Sequence, residues 1–245
     1  MKPENTSVTG VMVTGKTTDR YPLALASVEA FTKQVYAGDL RLLIINDNPV
    51  PLFPDKADLP PNVTERFIEP QGQSLGHLRN VGIELVDTDY IVQWDDDDYS
   101  HANRVAWQVT QTVRGMASIF KVEVHCNLLT GQAFVNNGQS QRSKGFPGTM
   151  LWPRAAKTKF PLIGKHEDTE FVLALRKELA NVAVLQNNPH YYFRCYHGHN
   201  TWSQQHVMKR KPGSRDLGPG EQTYVDGLLN GTYKQIAEQL RAEVS

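Results

Sequence analysis

Tyr90-Ile91-Val92-Gln93-Trp94-Asp95-Asp96-Asp97-Asp98-Tyr99 decides how this chain is read. The first half is an apolar, β-branched and aromatic run bounded by turn-formers, the pattern of a buried strand. It stops abruptly at four carboxylates. Four like charges in a row repel one another and resist burial. A buried strand that carries them to the edge of a sheet therefore needs a cation there. The simplest candidate is a divalent metal, because hard cations such as Mg²⁺ or Mn²⁺ prefer carboxylate oxygens. In open α/β sheets, ligands bind beyond the carboxyl ends of the strands, where this quartet lies. The bland alternative is a solvated acidic turn or a helix cap.

Strands and helices alternate on either side. Residues 8–14 read as a first strand that runs into a polar loop, 15–20, and then a helix marked by Leu23, Ala26, Ala30 and Phe31 and expected to end near Ala37-Gly38. The loop lacks the glycine spacing and Gly-Lys-Ser/Thr ending of a phosphate-binding P-loop. Residues 40–47 form a second apolar run that again ends in a carboxylate, Asp47. A short strand is expected over 65–68, then a helix over 73–85 with Ser74 as its cap. Arg79 on that helix offers planar donors to a carboxylate or phosphate, or a structural ion pair. This alternation predicts an α/β protein with a mostly parallel central sheet flanked by helices.

Further on, a helix follows Arg104, residues 118–124 alternate as one strand, and Thr130-Gly131 and Asn136-Asn137-Gly138 signal a hairpin. Residues 139–145 read as a polar, mobile loop, and 148–152 as a strand. Phe171, Val172, Leu175 and Leu179 form a helical apolar stripe, which places Glu167 and Asp168 at a helix N-terminus. Carboxylates there are also ordinary caps. Residues 182–185 and 191–196 read as paired strands around Asn187-Asn188-Pro189. The basic run Lys209-Arg210-Lys211 reads as a solvated loop, because no aromatic platform interleaves it. Leu228, Leu229, Ile236 and Leu240, divided by Asn230-Gly231, predict a final helical segment.

The chain has 245 residues, which suits one domain with a small extension. Lys+Arg and Asp+Glu both number 26, so no overall charge points to nucleic acid or to a membrane. No apolar run is long enough to cross a bilayer, and the first seven residues lack the apolar core of a signal peptide. Cys126 and Cys195 make neither a disulfide framework nor a thiolate metal site. The expectation is a cytoplasmic protein.

Four segments in order resemble the family 2 type of GT-A fold glycosyltransferases: residues 11–14 before a polar loop, 43–47 ending in Asp47, 75–82 followed by 90–98, and His166-Glu167-Asp168-Thr169. The resemblance covers roughly the first 200 residues. It departs at Asp47-Asn48-Pro49, where the family often has a second Asp and then Gly-Ser. It implies the GT-A (nucleotide-diphospho-sugar transferase) fold over 1–205, with a nucleotide-binding half, 1–104, an acceptor and catalytic half, 105–205, and a C-terminal helical extension, 206–245. It also implies a nucleotide-sugar donor, most often a UDP-sugar, and Mn²⁺ or Mg²⁺.

Carried over, Thr14, Asp47, Arg79, Asp95 and Asp96 serve the donor nucleotide. Asp97 and His197 hold the metal, with His199 as the competing choice. Asp168 is the general base of an inverting transfer, and Glu167 orients it. Trp152 and Thr149 are expected on the acceptor side. The acceptor hydroxyl is left open among a glycan, a nucleoside or modified nucleic-acid base, and a protein. Two rival readings remain at this level: a nucleotidyltransferase acting on a sugar phosphate, and a non-catalytic binding protein with a transferase fold.

Overall fold

The computed structural model describes residues 1–15, 17–229 and 231–244. Lys16, Asn230, Ser245 and the side chains at 228, 229, 234, 237, 240, 241, 243 and 244 lie outside the described residues, and with them the expectations placed on Lys16, Leu228, Leu229, Asn230 and Leu240.

The N-terminal half runs β1 (Val8–Thr14), α1 (Tyr21–Thr32), β2 (Leu40–Asn46), β3 (Val63–Phe67), α2 (Leu75–Leu85) and β4 (Tyr90–Gln93). After the aspartates come β5 (Tyr99–Ser100), α3 (Arg104–Gln111), β6 (Ala117–Phe120), β7 (Val122–Asn127), β8 (Ala133–Asn137) and β9 (Phe146–Pro153). The chain continues through α4 (Glu167–Glu178), β10 (Val182–Leu185), β11 (Tyr192–Tyr196), α5 (Gln204–Val207), β12 (Arg215–Asp216), α6 (Pro219–Leu229) and α7 (Thr232–Val244).

The central sheet has seven strands in the order β10-β6-β9-β4-β1-β2-β3. β1 lies parallel to both β2 and β4, and only β9 runs against its neighbours. The two-residue period of these strands builds two cores. Met12, Leu42, Ile44 and Val92 face α1 and α3. Val11, Leu43, Ile45 and Ile91 face the other way, toward Leu78 of α2 and Phe171, Val172 and Leu175 of α4. Strand order reverses at β1, between β2 and β4, so the crevice at their carboxyl ends is the switch point where ligands of such sheets bind.

A second sheet, β12-β8-β7-β11-β5, stands on the far side of α1. Its buried face packs Val124, Cys126, Phe193 and Cys195 against Leu23 and Ala26, and Val225, Tyr233 and Ile236 complete this third core. The C-terminal segment therefore supplies an edge strand and buried side chains to the same body. The Tyr233 hydroxyl donates to the Asp98 carbonyl at 3.1 Å.

Ser74 caps α2 as expected, accepting from the His77 N–H. Gly76 is required there: a Cβ would stand 2.0 Å from the Pro161 carbonyl oxygen. Three sequence expectations change. The single strand expected over 118–124 is two, because the chain passes between sheets at Lys121; side-chain alternation cannot report such a transfer. The runs 182–185 and 191–196 do not pair with each other. β10 lies beside β6 and β11 beside β7 and β5, with the Asn187 side chain holding both backbone groups of Val122 where the chain crosses. α1 ends at Thr32, ahead of Ala37-Gly38.

Candidate active site

The site is built at the end of β4. Trp94 anchors that end: it is 2 % exposed, meets Phe31 edge-on at 4.9 Å and donates its indole N–H to the Ser27 carbonyl. The next four residues then diverge, and the carboxylates share two partners, Arg20 between Asp96 and Asp97 and Tyr192 between Asp95 and Asp98. Asp95 accepts from Arg79 Nη2 at 3.0 Å and from the Tyr192 hydroxyl at 3.1 Å. Asp96 accepts from Arg20 Nη2 at 2.5 Å and from the Thr14 hydroxyl at 2.9 Å. Asp97 faces Arg20 Nη2 at 2.9 Å, His197 Nε2 at 3.2 Å and Asn200 Nδ2 at 3.3 Å. Asp98 accepts from the Tyr192 hydroxyl at 2.6 Å and the Cys195 N–H at 2.8 Å.

Two arginines thus provide much of the positive charge that the quartet demands. Arg79 was visible in the sequence. Arg20, at the end of the loop after β1, was not, although a cation beyond the first strand of such a sheet is where a partner would be sought. Asp96 raises the Arg20 guanidinium above its ordinary range, so it stays charged. The carboxylates split accordingly. Burial pushes Asp96 up to about 6 against the pull of Arg20. Burial also opposes ionisation of Asp97, but Arg20 and the His197 hydrogen bond outweigh it and hold this carboxyl below the usual range. Asp98, buried beside Asp97 and Asp95, is raised well above it.

The first turn of α4 brings two more carboxylates. His166 precedes it with φ at 65°, a left-handed conformation that turns the chain into the helix. Glu167 is 4 % exposed and takes Arg79 Nη1 at 2.5 Å. Burial lifts its carboxyl to about 7 despite Arg79. Asp168 is half-buried and, among the described residues, receives only the Thr169 N–H, at 2.6 Å. Arg79 therefore bridges the β4 end and the α4 start, and one carboxylate beside the bridge is left open to the cavity.

That cavity has a volume of about 370 Å³, within the range of small-molecule sites. Thr14, Asp47, Arg79, Asp95, Asp96, Asp97, Glu167 and Asp168 all line it. At its floor Gly15 has φ 129°, and a Cβ there would lie 2.0 Å from Asp47 Oδ1, so the loop after β1 and the end of β2 close on each other only through glycine. His197 is 1 % exposed and reaches the site through Asp97, while His199 is exposed, its ring 6.3 Å from that of His197.

Trp152 and Thr149 do not line the cavity. Trp152 is 3 % exposed and packs edge-on against Phe171 and Phe160. The Thr149 hydroxyl is fully buried, donating to the Phe146 carbonyl and accepting from the Phe120 N–H. β9 is buried on both faces, with Leu151 in one core and Met150 and Trp152 in the other, so neither side of this part of the strand meets the cavity. Sequence reading also missed Tyr192, Arg194, Asn200, Trp202 and Lys211, which do line the cavity. They belong to β11 and the loops after it, where nothing in the sequence marks which face of the strand meets the site.

Among the described residues no group of three or more His, Cys, Asp or Glu side chains is arranged to hold a metal ion. Asp97 and His197 are nonetheless suited to two positions of a shell completed by phosphate oxygens and water, the usual way Mg²⁺ is held. Adjacent ligands of such an ion stand about 3 Å apart, and Asp97 Oδ2 and His197 Nε2 are 3.2 Å apart. Among the described residues His197 Nδ1 is buried without a partner, so the hydrogen bond to the Asp97 carboxylate places the ring proton on Nε2, and a metal bound there would require that proton to move to Nδ1.

A central sheet of mostly parallel strands, an acidic cluster at the end of its inner strand and a second, smaller sheet on one side define the GT-A fold. The solved structures that resemble the chain have this fold. They include S. aureus TarS 1–349 in complex with UDP-GlcNAc, at TM-score 0.59 and 15 % identity over 97 % of this chain and 71 % of that one. TarS 1–349 in complex with UDP matches at TM-score 0.59 and 15 % identity over 97 % and 70 %. The longer TarS structure is spanned over 42 % of its length, at TM-score 0.59. At this identity the likeness is one of fold. No protein-family model and no curated protein sequence matches the chain. No helix among the described residues is long and apolar enough to cross a membrane.

Proposed function

We propose that this protein is a glycosyltransferase that moves a sugar from a nucleotide-sugar, a UDP-sugar in the first instance, to an acceptor hydroxyl with inversion at the anomeric carbon. One observation carries the reading: Asp168 opens into the same cavity as the Asp95–Asp98 cluster, while its neighbour Glu167 is locked by Arg79. The fold shared with TarS, whose structures hold UDP-GlcNAc and UDP, supports a nucleotide-sugar as donor.

The chemistry follows from the side chains. Asp47 and Asp95 would hold the nucleoside, and Arg79 and Arg20 would face the diphosphate. The acceptor oxygen attacks the anomeric carbon as the bond from that carbon to the diphosphate breaks. Asp168 takes the acceptor proton as general base, and the nucleoside diphosphate leaves with the bonding electron pair. Glu167, fixed by Arg79, orients Asp168 and the acceptor. Mn²⁺ or Mg²⁺, held by Asp97 and His197, would supply charge neutralisation for the departing diphosphate.

The test separates binding from turnover. Thermal stability is measured with UDP, GDP, CDP and ADP, each with Mn²⁺ or with chelator. A ligand at 100 times its dissociation constant raises stability by about 2.7 kcal/mol. A metal-dependent shift with one nucleotide is expected, and Asp168→Asn should keep that shift while losing at least about 100-fold in turnover. An Asp168→Asn variant with a near-normal rate would remove the base assignment. No shift with any nucleotide would remove the donor site.

A further inference from the structure

Charges on the donor side of the cavity are matched one to another. On the opposite wall two cations stand without a hydrogen-bonded partner among the described residues. Arg194 of β11 and Lys211, after α5, line the cavity, yet among the described residues neither the Arg194 guanidinium nor the Lys211 ammonium makes a hydrogen bond or ion pair. The nearby acidic groups are engaged or occupied elsewhere: Glu123 is held by His125 Nε2 at 2.8 Å, and Glu170 by Arg142 at 2.6 Å. Burial opposes the Arg194 charge, and Glu123 first, then Asp98 and Asp168, sustain it through space without a hydrogen bond to it. The cations also press on each other. Burial, then Lys209 and Arg194, lower the Lys211 ammonium, and burial, then Arg194, Lys211, His166 and Lys209, lower His206.

The segment that carries these cations is fixed. The Val207 carbonyl lies 2.5 Å from His125 Nδ1. Asn136, fully buried, donates to the Lys209 carbonyl and accepts from the Lys211 N–H and the Ser214 hydroxyl. Arg210 turns away, onto the Phe134 ring and Asp216. A basic run that reads as a solvated loop is therefore pinned to β7 and β8, with Lys211 aimed inward. It also meets aromatic rings that sequence spacing did not reveal. Trp202 and His206 stack at 4.0 Å with planes 15° apart, His166 meets Trp202 edge-on at 4.8 Å, and Lys165 Nζ stands 4.8 Å above the Trp202 ring.

We propose that this wall receives a nucleotide unit of a single-stranded nucleic acid, its phosphate against Arg194 and Lys211 and its ring against the Trp202–His206 pair, so that a hydroxyl of that unit reaches Asp168. The proposal rests on the glycosyltransferase reading and names its acceptor. Unmatched cations call for an anion, and a stacking pair calls for a planar ring; a single strand presents both at every step. An uncharged glycan leaves the cations unmatched, and a ring-free phosphate polymer leaves the aromatic pair unused. The chain has no net charge, so attraction is confined to this wall and is weak and salt-sensitive.

The experiment measures fluorescence anisotropy of labelled single-stranded DNA and RNA with the full chain in the presence of UDP and Mn²⁺, over a salt series. Three cations, Arg194, Lys211 and Lys165, predict a slope of log affinity against log salt of about −2. Lys211→Glu should weaken binding about tenfold and make the slope shallower by about 0.7. Trp202→Ala should weaken it at least about fivefold, and Trp202→Phe should restore most of it. No binding of either strand at low salt, with the nucleotide-induced thermal shift intact, overturns the proposal and leaves the transferase reading standing. Loss of that thermal shift as well overturns both. Equal binding of inorganic polyphosphate, indifferent to Trp202→Ala, overturns the nucleic-acid assignment in favour of a ring-free polyanion.

Discussion

The Arg79 guanidinium meets the Glu167 carboxylate at 2.5 Å, joining α2 to the first turn of α4 across 88 residues of sequence. Through its other terminal nitrogen the same side chain holds Asp95 at 3.0 Å. One arginine thus sets the spacing between the donor-side cluster and the helix that carries Asp168. Arg79→Ala leaves Asp95 and Glu167 facing each other without their cation. We expect a stability loss of about 3 kcal/mol, read by urea denaturation, and a turnover loss exceeding that of Glu167→Gln, read by release of nucleoside diphosphate.

Glu167 also gives the protein a pH signature. An unfolded glutamate loses its proton near 4.5, whereas the folded one holds it to about 7. Between those values the folded state binds more protons than the unfolded state. The stability from this group is complete below about 4.5 and disappears as pH climbs through about 7. Asp96, raised to about 6, acts in the same sense. Melting temperature should therefore fall as pH rises from about 5 to about 8, and Glu167→Gln should flatten part of that slope. An identical slope in the variant would show that Glu167 does not contribute.

Two tryptophans should behave in opposite ways. Trp152→Ala opens a hole beside the stacked Phe160–Phe171 pair and should cost about 3–5 kcal/mol. Trp202, half-buried at the cavity, should cost about 1 kcal/mol as alanine. Chemical denaturation of the two variants checks this directly.

Gly15 admits no side chain, on grounds of both φ and space. Gly15→Ala should destabilise by more than about 1 kcal/mol. It should also weaken nucleotide binding, because Asp47 must shift to make room; calorimetric titration with UDP measures the second effect.

Arg104 is fully buried and has no carboxylate partner among the described residues. Its planar fork donates to the Ser100 hydroxyl and the Gln93 carbonyl while its face lies over Trp94 and Tyr192. A lysine ammonium cannot do both. Arg104→Lys should lower stability by about 2 kcal/mol despite conserving charge, as a denaturant midpoint would show.

Much of this was legible in the sequence because strands that are buried on both faces are written as apolar runs. Residues 8–14, 40–46 and 90–93 each read that way, and each delivers its polar terminus to one edge. The order of the motifs then placed Asp47, Arg79, Asp95–Asp98, Glu167 and Asp168 around one cavity. What failed was information that spacing does not carry. Trp152, between Leu151 and Pro153, sits in the core and Trp202, between Thr201 and Ser203, lines the cavity, and only the packing of β9 and the course of the chain after β11 place them. Alternation over 118–124 was real, yet it continued through a change of sheet. Arg20 showed no periodicity at all, because its role depends on a loop conformation. Part of the positive charge that the quartet needs comes from Arg20 and Arg79, two side chains distant from it in sequence.

The hydroxyl of Tyr233 grips the backbone of Asp98 from 135 positions downstream. During synthesis at about 5–20 residues per second, the aspartates precede that contact by roughly 7 to 27 seconds. For that interval the acidic cluster waits without its backstop, and Asp98 is the member whose burial depends on what has not yet been made. The cavity is finished from behind, late, by a helix that never touches it. A nascent chain stopped before Tyr233 would carry every carboxylate of the site and still lack its final shape.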